Sequence, residues 1–468
     1  MSIVVNDIHS KLNSTAMRAV YRPSTIEELQ RVLKTESGPF TIAGERHAMG
    51  SQQFLTGGCL IDTRSLTKVR DFNYETGQIT VEAGITWPAL QAAYENLQTT
   101  LGGIRWGFAQ KQTGADDLTL GGAVAANIHG RGLRMAPFVQ DILEFELLCP
   151  DGSVIACSRS ANRELFSLGI GGYGMFGVVT AVTLQLTPRQ VLRRTVRILD
   201  IEDAIPAAQR RISEGYLYGD FQFDIDPDSP DFLTKGVFSG YYPVPESLPS
   251  TATNELSDDA WRELLYLAHT DKRKAFQLYA QHYISTDGQL YLSDTHQRST
   301  YLVDYHSSLD TRLESACPGS EMISELYVPP ERLLDFLKSA ATFLVKQETP
   351  VIYGTIRLIE RDSETFLPWA KERYACIIFN LHVDHTAIGI TKVRAAFQGL
   401  IDLALERGGS FFLTYHRFAR ADQLLQAYPQ LPEFVAAKMR FDPNMRFRST
   451  WFDWIVASVQ GDGSKYSQ

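Results

Sequence analysis

The sequence is poor in cysteine, has no excess of basic residues and contains no long apolar run. Its 468 residues include five scattered cysteines, none of which belongs to a CxxC pair. This pattern excludes a disulfide framework and a zinc site built on paired cysteines, and it predicts reduced thiols in a cytoplasmic protein. The five positions are Cys59, Cys149, Cys157, Cys317 and Cys376.

Charge and hydropathy exclude two further classes of protein. Lys and Arg total 45 against 54 Asp and Glu, a net charge of −9, so we expect no nucleic-acid or anionic-membrane partner. No run of about 18 apolar residues is present, which excludes an ordinary membrane-spanning helix. The opening MSIVVNDIHSKLNS also lacks the basic and apolar parts of a signal peptide.

The remaining composition is that of a globular protein. Apolar residues make up 44% and charged residues 21%, which predicts two or three domains with a large core. The N-terminal third alternates short strands with glycine turns. Ser24 and Glu27 form a capping-box pattern that predicts a helix. Pro150-Asp151-Gly152 predicts a hairpin turn between strands 144–149 and 153–157, and a further strand is predicted over 178–186.

From about residue 190 the pattern changes to longer helices alternating with strands. This order predicts an α+β domain in which helices pack on one face of a sheet. The predicted strands are 195–199, 216–224, 323–328, 351–359, 377–383 and 410–414, and the predicted helices are 204–212, 331–345 and 392–407, with a helical insertion at about 255–283. The C-terminal segment predicts a helix, a turn at 442–444 and an aromatic tail that packs in the core.

Glycine is abundant, with 34 residues, and it clusters in three places. The segment GIGGYG at 169–174 fits G-x-G-x-x-G, but a predicted helix precedes it and a strand follows, which is the reverse of a Rossmann motif. The loops 44–51 and 114–130 are better candidates for a cofactor site. Glycine there lets backbone N–H groups face a diphosphate, and small residues let the backbone lie against a planar ring.

These segments resemble a known family. GERHAMG, VEAGITWPAL, TLGGAVAANIHGRG, CPDGSV and GIGGYGMFGVVTAVTLQL are similar, in order and spacing over 18–188, to the FAD-binding domain of the vanillyl-alcohol oxidase (p-cresol methylhydroxylase, PCMH-type) superfamily. The alditol and aldonolactone oxidases and decaprenylphosphoryl-ribose oxidase are the members it resembles most. The resemblance implies a two-domain α+β fold with an FAD-binding domain at 1–188, a substrate domain of antiparallel sheet covered by helices at 189–428, and a segment at 429–468 that returns to the FAD domain.

The resemblance also implies which residues contact FAD. His47 occupies the position at which a histidine is bonded covalently to the flavin in several members, although Arg46 stands where those members have glycine. His129 matches a histidine of the second FAD loop, and we leave open whether it braces that loop or contacts the active site. The implied FAD-binding set is Gly44, Glu45, Arg46, His47, Ala48, Met49, Gly50, Ser51, Gln53, Gly114, Leu120, Gly121, Gly122, Ala125, Asn127, His129, Gly130, Gly177, Val178 and Val179.

Three segments resemble the strands that face the flavin on the substrate side. Arg357 takes the position of an active-site arginine, and Thr355 stands where the alditol oxidases have an acidic residue. Asn380 and His382 share a strand face by alternation. In the last segment the candidates are Tyr415 and His416. We expect Arg357 to stabilise developing negative charge, and one of His382, Tyr415 and His416 to take a substrate proton. Glu325 is a weaker candidate.

The resemblance implies an FAD-dependent oxidoreductase that oxidises a CH–OH group of a sugar, lactone or other alcohol. Oxygen or another acceptor would then reoxidise the flavin. The alternatives are a C–N or C=C redox enzyme of the same superfamily, and a non-catalytic flavin-binding partner protein. We expect no metal site, because neither Asp116-Asp117 nor the pair His382 and His385 has further ligands at a characteristic spacing.

Overall fold

The computed structural model describes residues 2–246, 254–299, 302 and 304–461. Of the predicted domain ranges, residues 1, 247–253, 300, 301, 303 and 462–468 lie outside the described residues.

The N-terminal part combines a small parallel sheet with a larger antiparallel one. Its strands are β1 (Ile3–Val5), β2 (Thr15–Met17), β3 (Ala19–Tyr21), β4 (Phe40–Ala43), β5 (Cys59–Asp62), β6 (Val69–Asn73), β7 (Gln78–Glu82), β8 (Trp106–Gly107), β9 (Ile142–Leu148), β10 (Val154–Ser158), β11 (Val178–Gln185) and β12 (Thr187–Pro188). Its helices are α1 (Ile26–Thr35), α2 (Trp87–Leu101), α3 (Leu120–Ala126) and α4 (Arg163–Gly169), with a 3-10 turn at Phe138–Asp141. The order is β3-β5-β4 in the parallel sheet and β10-β9-β11-β7-β6 in the antiparallel sheet.

Local sequence explains most of these elements, with one correction. The predicted hairpin forms β9 and β10, paired antiparallel around the Pro-Asp-Gly turn. Helix α1 buries Leu29 and Leu33, which are four residues apart on one face. Its N-cap is Thr25 rather than Ser24, because the Thr25 side chain accepts the Glu28 N–H while Ser24 donates to the Glu28 carboxylate instead.

The second part of the chain builds one large antiparallel sheet. Its strands are β13 (Val191–Asp200), β14 (Tyr218–Phe223), β15 (Lys235–Val244), β16 (Leu290–Leu292), β17 (Gly319–Val328), β18 (Val351–Ile359), β19 (Tyr374–Asp384) and β20 (Ser410–Phe411), in the order β16-β13-β15-β14-β18-β19-β17-β20. Its helices are α5 (Ile201–Ser213), α6 (Asp258–Thr270), α7 (Lys272–Ser285), α8 (Tyr305–Arg312), α9 (Leu333–Lys346) and α10 (Ala387–Leu405), with 3-10 turns at Thr295–Gln297 and Pro330–Arg332.

Strand β15 was missed by the sequence analysis, and its glycines explain why it exists. Glycine indicates a loop by propensity, yet a Cβ at Gly236 would lie 2.3 Å from the Gln222 carbonyl oxygen, and one at Gly240 would lie 2.6 Å from the Arg211 guanidinium. The two glycines therefore allow close packing that a larger residue would prevent.

Helices flank both faces of the large sheet, whereas the sequence predicted one face. Phe238 and Tyr241 of β15 point to opposite faces because side chains alternate along a strand. The Arg211 guanidinium of α5 lies 3.8 Å from the Phe238 ring centre. On the other face Arg194 lies over both Tyr241 and Tyr283 of α7, 5.5 and 4.5 Å from the ring centres. The predicted helical insertion, α6 and α7, therefore covers a second face.

The C-terminal part returns to the small parallel sheet. It consists of α11 (Ala421–Ala427), α12 (Leu431–Phe441) and α13 (Thr450–Val459). Phe447 bridges Phe40 of β4, with the Phe40 N–H donating to the Arg446 carbonyl. The predicted aromatic tail is helix α13, and it buries Trp451, Phe452 and Trp454 as predicted. Among the residues described here, no helix combines the length and apolarity that crossing a membrane requires.

Candidate active site

A central cavity of about 940 Å³ lies between the glycine loops of the N-terminal part and one face of the large sheet. Helices α6 and α7 close a further side, contributing Trp261, Leu265, Phe276 and Tyr279 among others. The volume is at the upper end of the roughly 300–1,000 Å³ usual for small-molecule sites. The cavity is therefore large enough for a cofactor and a small substrate together.

The first glycine loop connects the parallel strands β4 and β5 and lines the cavity with residues 44–49. A Cβ at Gly44 would lie 2.1 Å from Thr119 Oγ1, so only glycine lets this loop meet the second one. Arg46 adopts the left-handed φ of +63°, so the backbone takes a glycine-like turn despite the arginine. Gln53 lines the cavity, whereas Gly50 and Ser51 pack beneath it.

His47 lies on the cavity wall in contact with a second histidine. Its Nδ1 is 2.8 Å from His9 Nε2. Burial, followed by the proximity of His9, lowers the pKa of His47 well below its ordinary value. The imidazole is therefore neutral at neutral pH, which is the form that a nucleophilic nitrogen needs.

The second glycine loop leads into helix α3 and only partly reaches the cavity. Gly114, at φ +111°, and Gly122 and Ala125 line it. Of the other predicted cofactor residues, Gly121 packs on Ala83 and Asn127 bonds Asp362. The structure brings none of the following to the cavity wall: Gly50, Ser51, Leu120, Gly121, Asn127, His129, Gly130, Gly177, Val178 and Val179.

Gly177 and its neighbours have a packing role in the structure. Gly177 has φ +154°, and a Cβ there would lie 2.5 Å from the Leu148 carbonyl oxygen. Val178 packs in an apolar cluster with Leu29 and Phe40. This segment starts strand β11 and supports the sheet behind the loops.

His129 braces a buried network one layer behind the cavity. Its Nε2 lies 2.7 Å from Glu325 Oε1. The same carboxylate accepts the hydroxyls of Tyr327 at 2.5 Å and Tyr415 at 2.8 Å. Burial alone would raise the pKa of Glu325, but His129 and the two hydroxyls lower it to about 2. An ionised carboxylate thus holds Tyr415 in place.

Polar side chains cover the face of the large sheet that borders the cavity. Tyr353 of β18 pairs with Asn380 of β19, which in turn pairs with Ile323 of β17, so these side chains share one face. Several buried polar atoms on this wall have no hydrogen-bond partner among the described residues. On the sheet they are Arg194 Nε, Asp220 Oδ1, Gln222 Oε1, Thr355 Oγ1, Arg357 Nε and Asn380 Oδ1, and Arg131 Nε adjoins them from the loop that follows the second glycine loop. Buried polar groups are costly without partners, so this wall is suited to a polar ligand.

Arg357 points into the cavity. Its Nη2 donates to Thr113 Oγ1 on the opposite wall. The acids that follow it in sequence are engaged elsewhere, Glu360 with Arg373 and Asp362 with Asn127. The guanidinium is therefore available to a ligand rather than bound to a neighbouring carboxylate.

The three candidate bases differ in position. Tyr415 lines the cavity, and burial together with Glu325 raises its pKa well above the ordinary value, so it keeps its proton. His416 stacks on Phe418, with ring centres 5.2 Å apart, and it does not line the cavity. His382 also lies off the cavity wall, against Glu321. The sequence could not decide between Tyr415 and His416, because adjacent residues point in different directions and the sequence does not show which of the two faces the cavity.

Sequence reasoning missed a basic and acidic group at the far end of the cavity. Arg131 Nη1 lies 3.3 Å from Asp220 Oδ2, and Arg194 lies beside it. The signal for Asp220 and Gln222 is their alternation with Phe221 and Phe223 within a buried strand. Polar residues at every second position of such a strand indicate a polar cavity face.

Comparison with known proteins identifies the N-terminal part. A family model described as an FAD binding domain matches residues 17–158. The chain therefore carries an FAD-binding domain of the PCMH type, within an α+β fold. The glycine loops and cavity described above fit such a cofactor, since Gly44 and Gly114 bring bare backbone to a cavity that also holds unpartnered polar groups.

Particular relatives share this part of the chain. Cytokinin dehydrogenase 7 of Oryza sativa subsp. japonica is 29% identical over 40% of this chain and 36% of its own length. L-gulonolactone oxidase of Bos taurus is 28% identical over 37% of this chain and 38% of its own length. Cytokinin dehydrogenase 3 of Arabidopsis thaliana is 25% identical over 49% of this chain and 44% of its own length. The chain thus spans less than half of each of these relatives.

Proposed function

We propose that this protein is an FAD-dependent oxidoreductase that oxidises a CH–OH group of a sugar, lactone or other polar alcohol. The observation that carries the proposal is the single cavity shared by the two glycine loops and the polar sheet face. A cofactor held by the loops and a polar substrate on the sheet would meet within it. When bound, FAD accepts a hydride from a substrate carbon.

We further propose how the loops hold the cofactor. Residues 44–49 and 113–115, with Gly122 and Ala125, offer backbone and small side chains along one wall. His47 is proposed as the covalent attachment point, supported by its burial, its neutral imidazole and its position on that wall. Residues of the predicted set that pack behind the wall would act by supporting the loops.

The substrate would be held by the opposite wall. The Arg357 guanidinium would stabilise negative charge on a substrate oxygen, and Asn380 Oδ1 and Thr355 Oγ1 would accept hydrogen bonds from the substrate's other hydroxyl groups. The Tyr415 hydroxyl donates to Glu325, so its oxygen would accept a hydrogen bond from the substrate hydroxyl. As the hydride leaves the carbon, the hydroxyl proton would pass to the Tyr415 oxygen while the Tyr415 proton moves to Glu325 Oε2. Because residue 355 is threonine and not an acid, no carboxylate at that position offsets the positive charge of Arg357. The uncompensated charge favours a substrate with several oxygen atoms.

The division into an FAD-binding part at 1–188, a substrate part at 189–428 and a returning segment at 429–468 belongs to the same proposal. Its support is that the large sheet is built from 191–411, while Phe447 joins β4. A cytoplasmic location is proposed from the five cysteines, all of which are free thiols. Oxygen or another acceptor would reoxidise the cofactor.

The experiment is an anaerobic reduction screen of the purified yellow protein. Sugars, lactones and simple alcohols form one panel, and amine donors form a second. Bleaching by the first panel, with a carbonyl or lactone product, supports the proposal. Bleaching by the amine panel alone would establish C–N oxidation, the second candidate, which the relatives named for cytokinin favour. Retention of flavin with no bleaching by any donor would indicate a flavin-binding partner protein.

A further inference from the structure

Three ligand atoms from three separate elements converge beside the central cavity. They are His269 Nε2 of α6, Glu321 Oε1 of β17 and His382 Nδ1 of β19. We propose that these three residues bind a divalent transition-metal ion, for which Zn²⁺ is the best match. The site is independent of the proposed oxidoreductase function, and its residues are far apart in sequence, so no local spacing predicts it.

The fold brings the three residues together in a defined way. Glu321 and His382 are directly opposite each other in the antiparallel pair of β17 and β19, so their side chains lie on the same face. His269 lies in the last turn of α6, and its imidazole approaches both Glu321 and His382. Gly319 makes room for the arrangement, because a Cβ there would lie 2.6 Å from His382 Cε1.

The distances match those of a metal site. His269 Nε2 is 3.3 Å from Glu321 Oε1 and 3.4 Å from His382 Nδ1. The third side of the triangle, from His382 Nδ1 to Glu321 Oε1, is 3.7 Å. Ligand atoms about 2.0–2.2 Å from a tetrahedral Zn²⁺ are necessarily about 3.3–3.6 Å from one another. The ion therefore requires adjustments of only a few tenths of an ångström.

In each imidazole, the ring nitrogen that would not bind the ion has its own hydrogen-bond acceptor, as is usual for histidines that ligate metals. His269 Nδ1 lies 2.8 Å from the Leu265 carbonyl oxygen, a contact that requires the proton on Nδ1 and leaves a lone pair on Nε2. His382 Nε2 lies 3.4 Å from Asp384 Oδ1, which favours the proton on Nε2 and a lone pair on Nδ1. In these neutral tautomers two nitrogen lone pairs and a carboxylate oxygen face one another, an arrangement that a shared cation stabilises.

The two carboxylate oxygens of Glu321 differ in their surroundings. Glu321 is 6% exposed, and its Oε1 has no hydrogen-bond partner within the described part of the chain. Its Oε2 accepts the Tyr305 hydroxyl and lies 3.0 Å from His306 Nε2. One oxygen is thereby oriented by the outer partners, and the other is left for the ion.

A second cluster, His129, Glu325 and Cys376, does not have these properties. Its carboxylate is already bonded to two tyrosine hydroxyls and to His129, so proton donors rather than lone pairs surround it. The contrast assigns the ion to the Glu321 site. Bound there, it would link α6 to β17 and β19, and three protein ligands would leave a coordination position for water.

The test uses the full-length, FAD-loaded protein with no affinity tag, after dialysis against a chelator. It is titrated with CoCl₂, whose ligand-field absorption reports tetrahedral coordination, and then with ZnCl₂. We expect one ion per chain, an intense Co²⁺ band that Zn²⁺ abolishes, and a higher melting temperature with Zn²⁺. The variants are His269→Asn, His382→Asn and Glu321→Gln. Each should lose more affinity than the roughly 10–100-fold caused by removing an outer-shell partner.

The control is His385→Asn, which removes a histidine three residues beyond His382. His385 bonds the Ser320 hydroxyl and contributes no atom to the triangle, so metal affinity should be unchanged. A wild-type protein with no Co²⁺ band and no Zn²⁺ binding would overturn the proposal, as would equal binding by wild type and His269→Asn. In either case a proton shared between the imidazoles holds the cluster together. If Glu321→Gln does not fold, the two histidine variants decide the question.

Discussion

The Tyr415 hydroxyl donates a hydrogen bond to Glu325 Oε2 at 2.8 Å, joining the cavity wall to the buried charge behind it. The same carboxylate is bonded to His129 and Tyr327, so residues from both parts of the chain meet at one ionised group. This relationship explains how one of the three base candidates is fixed at the cavity. It also leads to two of the following predictions.

Replacing Tyr415 with Phe leaves a buried carboxylate short of one hydrogen bond. We expect a loss of about 1.5–3 kcal/mol in the free energy of unfolding, because bonds to charged groups are worth that much. Tyr327→Phe is the matched control, since it removes the other hydroxyl from Glu325 without reaching the cavity. Both variants should lose stability in denaturant titration, but only Tyr415→Phe should slow flavin reduction. Equal slowing by both would argue against a substrate contact at Tyr415.

Acid should destabilise the protein partly through Glu325. Its pKa is lowered from 4.5 to about 2 in the folded chain, so the ionised carboxylate contributes stability that is fully present above about pH 4.5. That contribution is lost as the pH falls toward 2, and the shift corresponds to at most about 3 kcal/mol. Glu325→Gln should be less stable at pH 7, with a shallower loss between pH 5 and 3 measured by urea titration. Parallel curves for the two proteins would contradict this.

The Arg357→Ala variant should keep its FAD, but the rate of flavin reduction should fall by a factor of about 10²–10³. This factor corresponds to roughly 2.7–4 kcal/mol in activation free energy, as expected when one charged donor that acts mainly in the transition state is removed. Arg357→Lys should recover part of the rate, because lysine keeps the charge but not the planar fork. Arg361→Ala, at an exposed arginine four residues further on, is the control. Stopped-flow reduction beside a melting curve makes the measurement. A near-normal rate in Arg357→Ala would refute the assignment.

Covalent attachment at His47 predicts a protein that stays yellow after acid precipitation and fluoresces on a denaturing gel. His47→Ala should bind FAD that acid extracts completely. His385→Ala, which changes a histidine away from the cavity, should behave like wild type. Complete extraction of flavin from the wild-type protein would show that the bond does not form.

The cysteines should be free but unequally reactive. Burial raises the pKa of Cys157 to about 12 and that of Cys376 well above its ordinary value, so both thiols should react slowly in the native protein. Cys149 and Cys317 are only half-buried and should react first. Denatured, non-reduced protein should titrate as five thiols. A value of one or none would indicate disulfides and an oxidising compartment.

The sequence by itself determined the class of fold and the two glycine loops that line the cavity. Gly44 is required because a Cβ there would lie 2.1 Å from Thr119 Oγ1, and Gly114 adopts the positive φ of +111° that favours glycine. Such requirements are visible in the residues themselves. Strand and helix order in the second part followed from hydrophobic periodicity, because each element buries one face. Strand β15 was missed because its glycines serve contacts with Gln222 and Arg211 that local propensity does not include.

Only the tertiary structure decided which polar residues meet at the cavity and in the layer behind it. His129 and Glu325 are almost 200 residues apart, at 2.7 Å, and the sheet register that joins them to Tyr415 depends on packing across the whole chain. The same is true of His269, Glu321 and His382, whose atoms meet because β17 pairs with β19 and the last turn of α6 brings His269 beside the pair. Contacts between distant segments depend on how the segments pack against each other, and no local spacing in the chain records that packing.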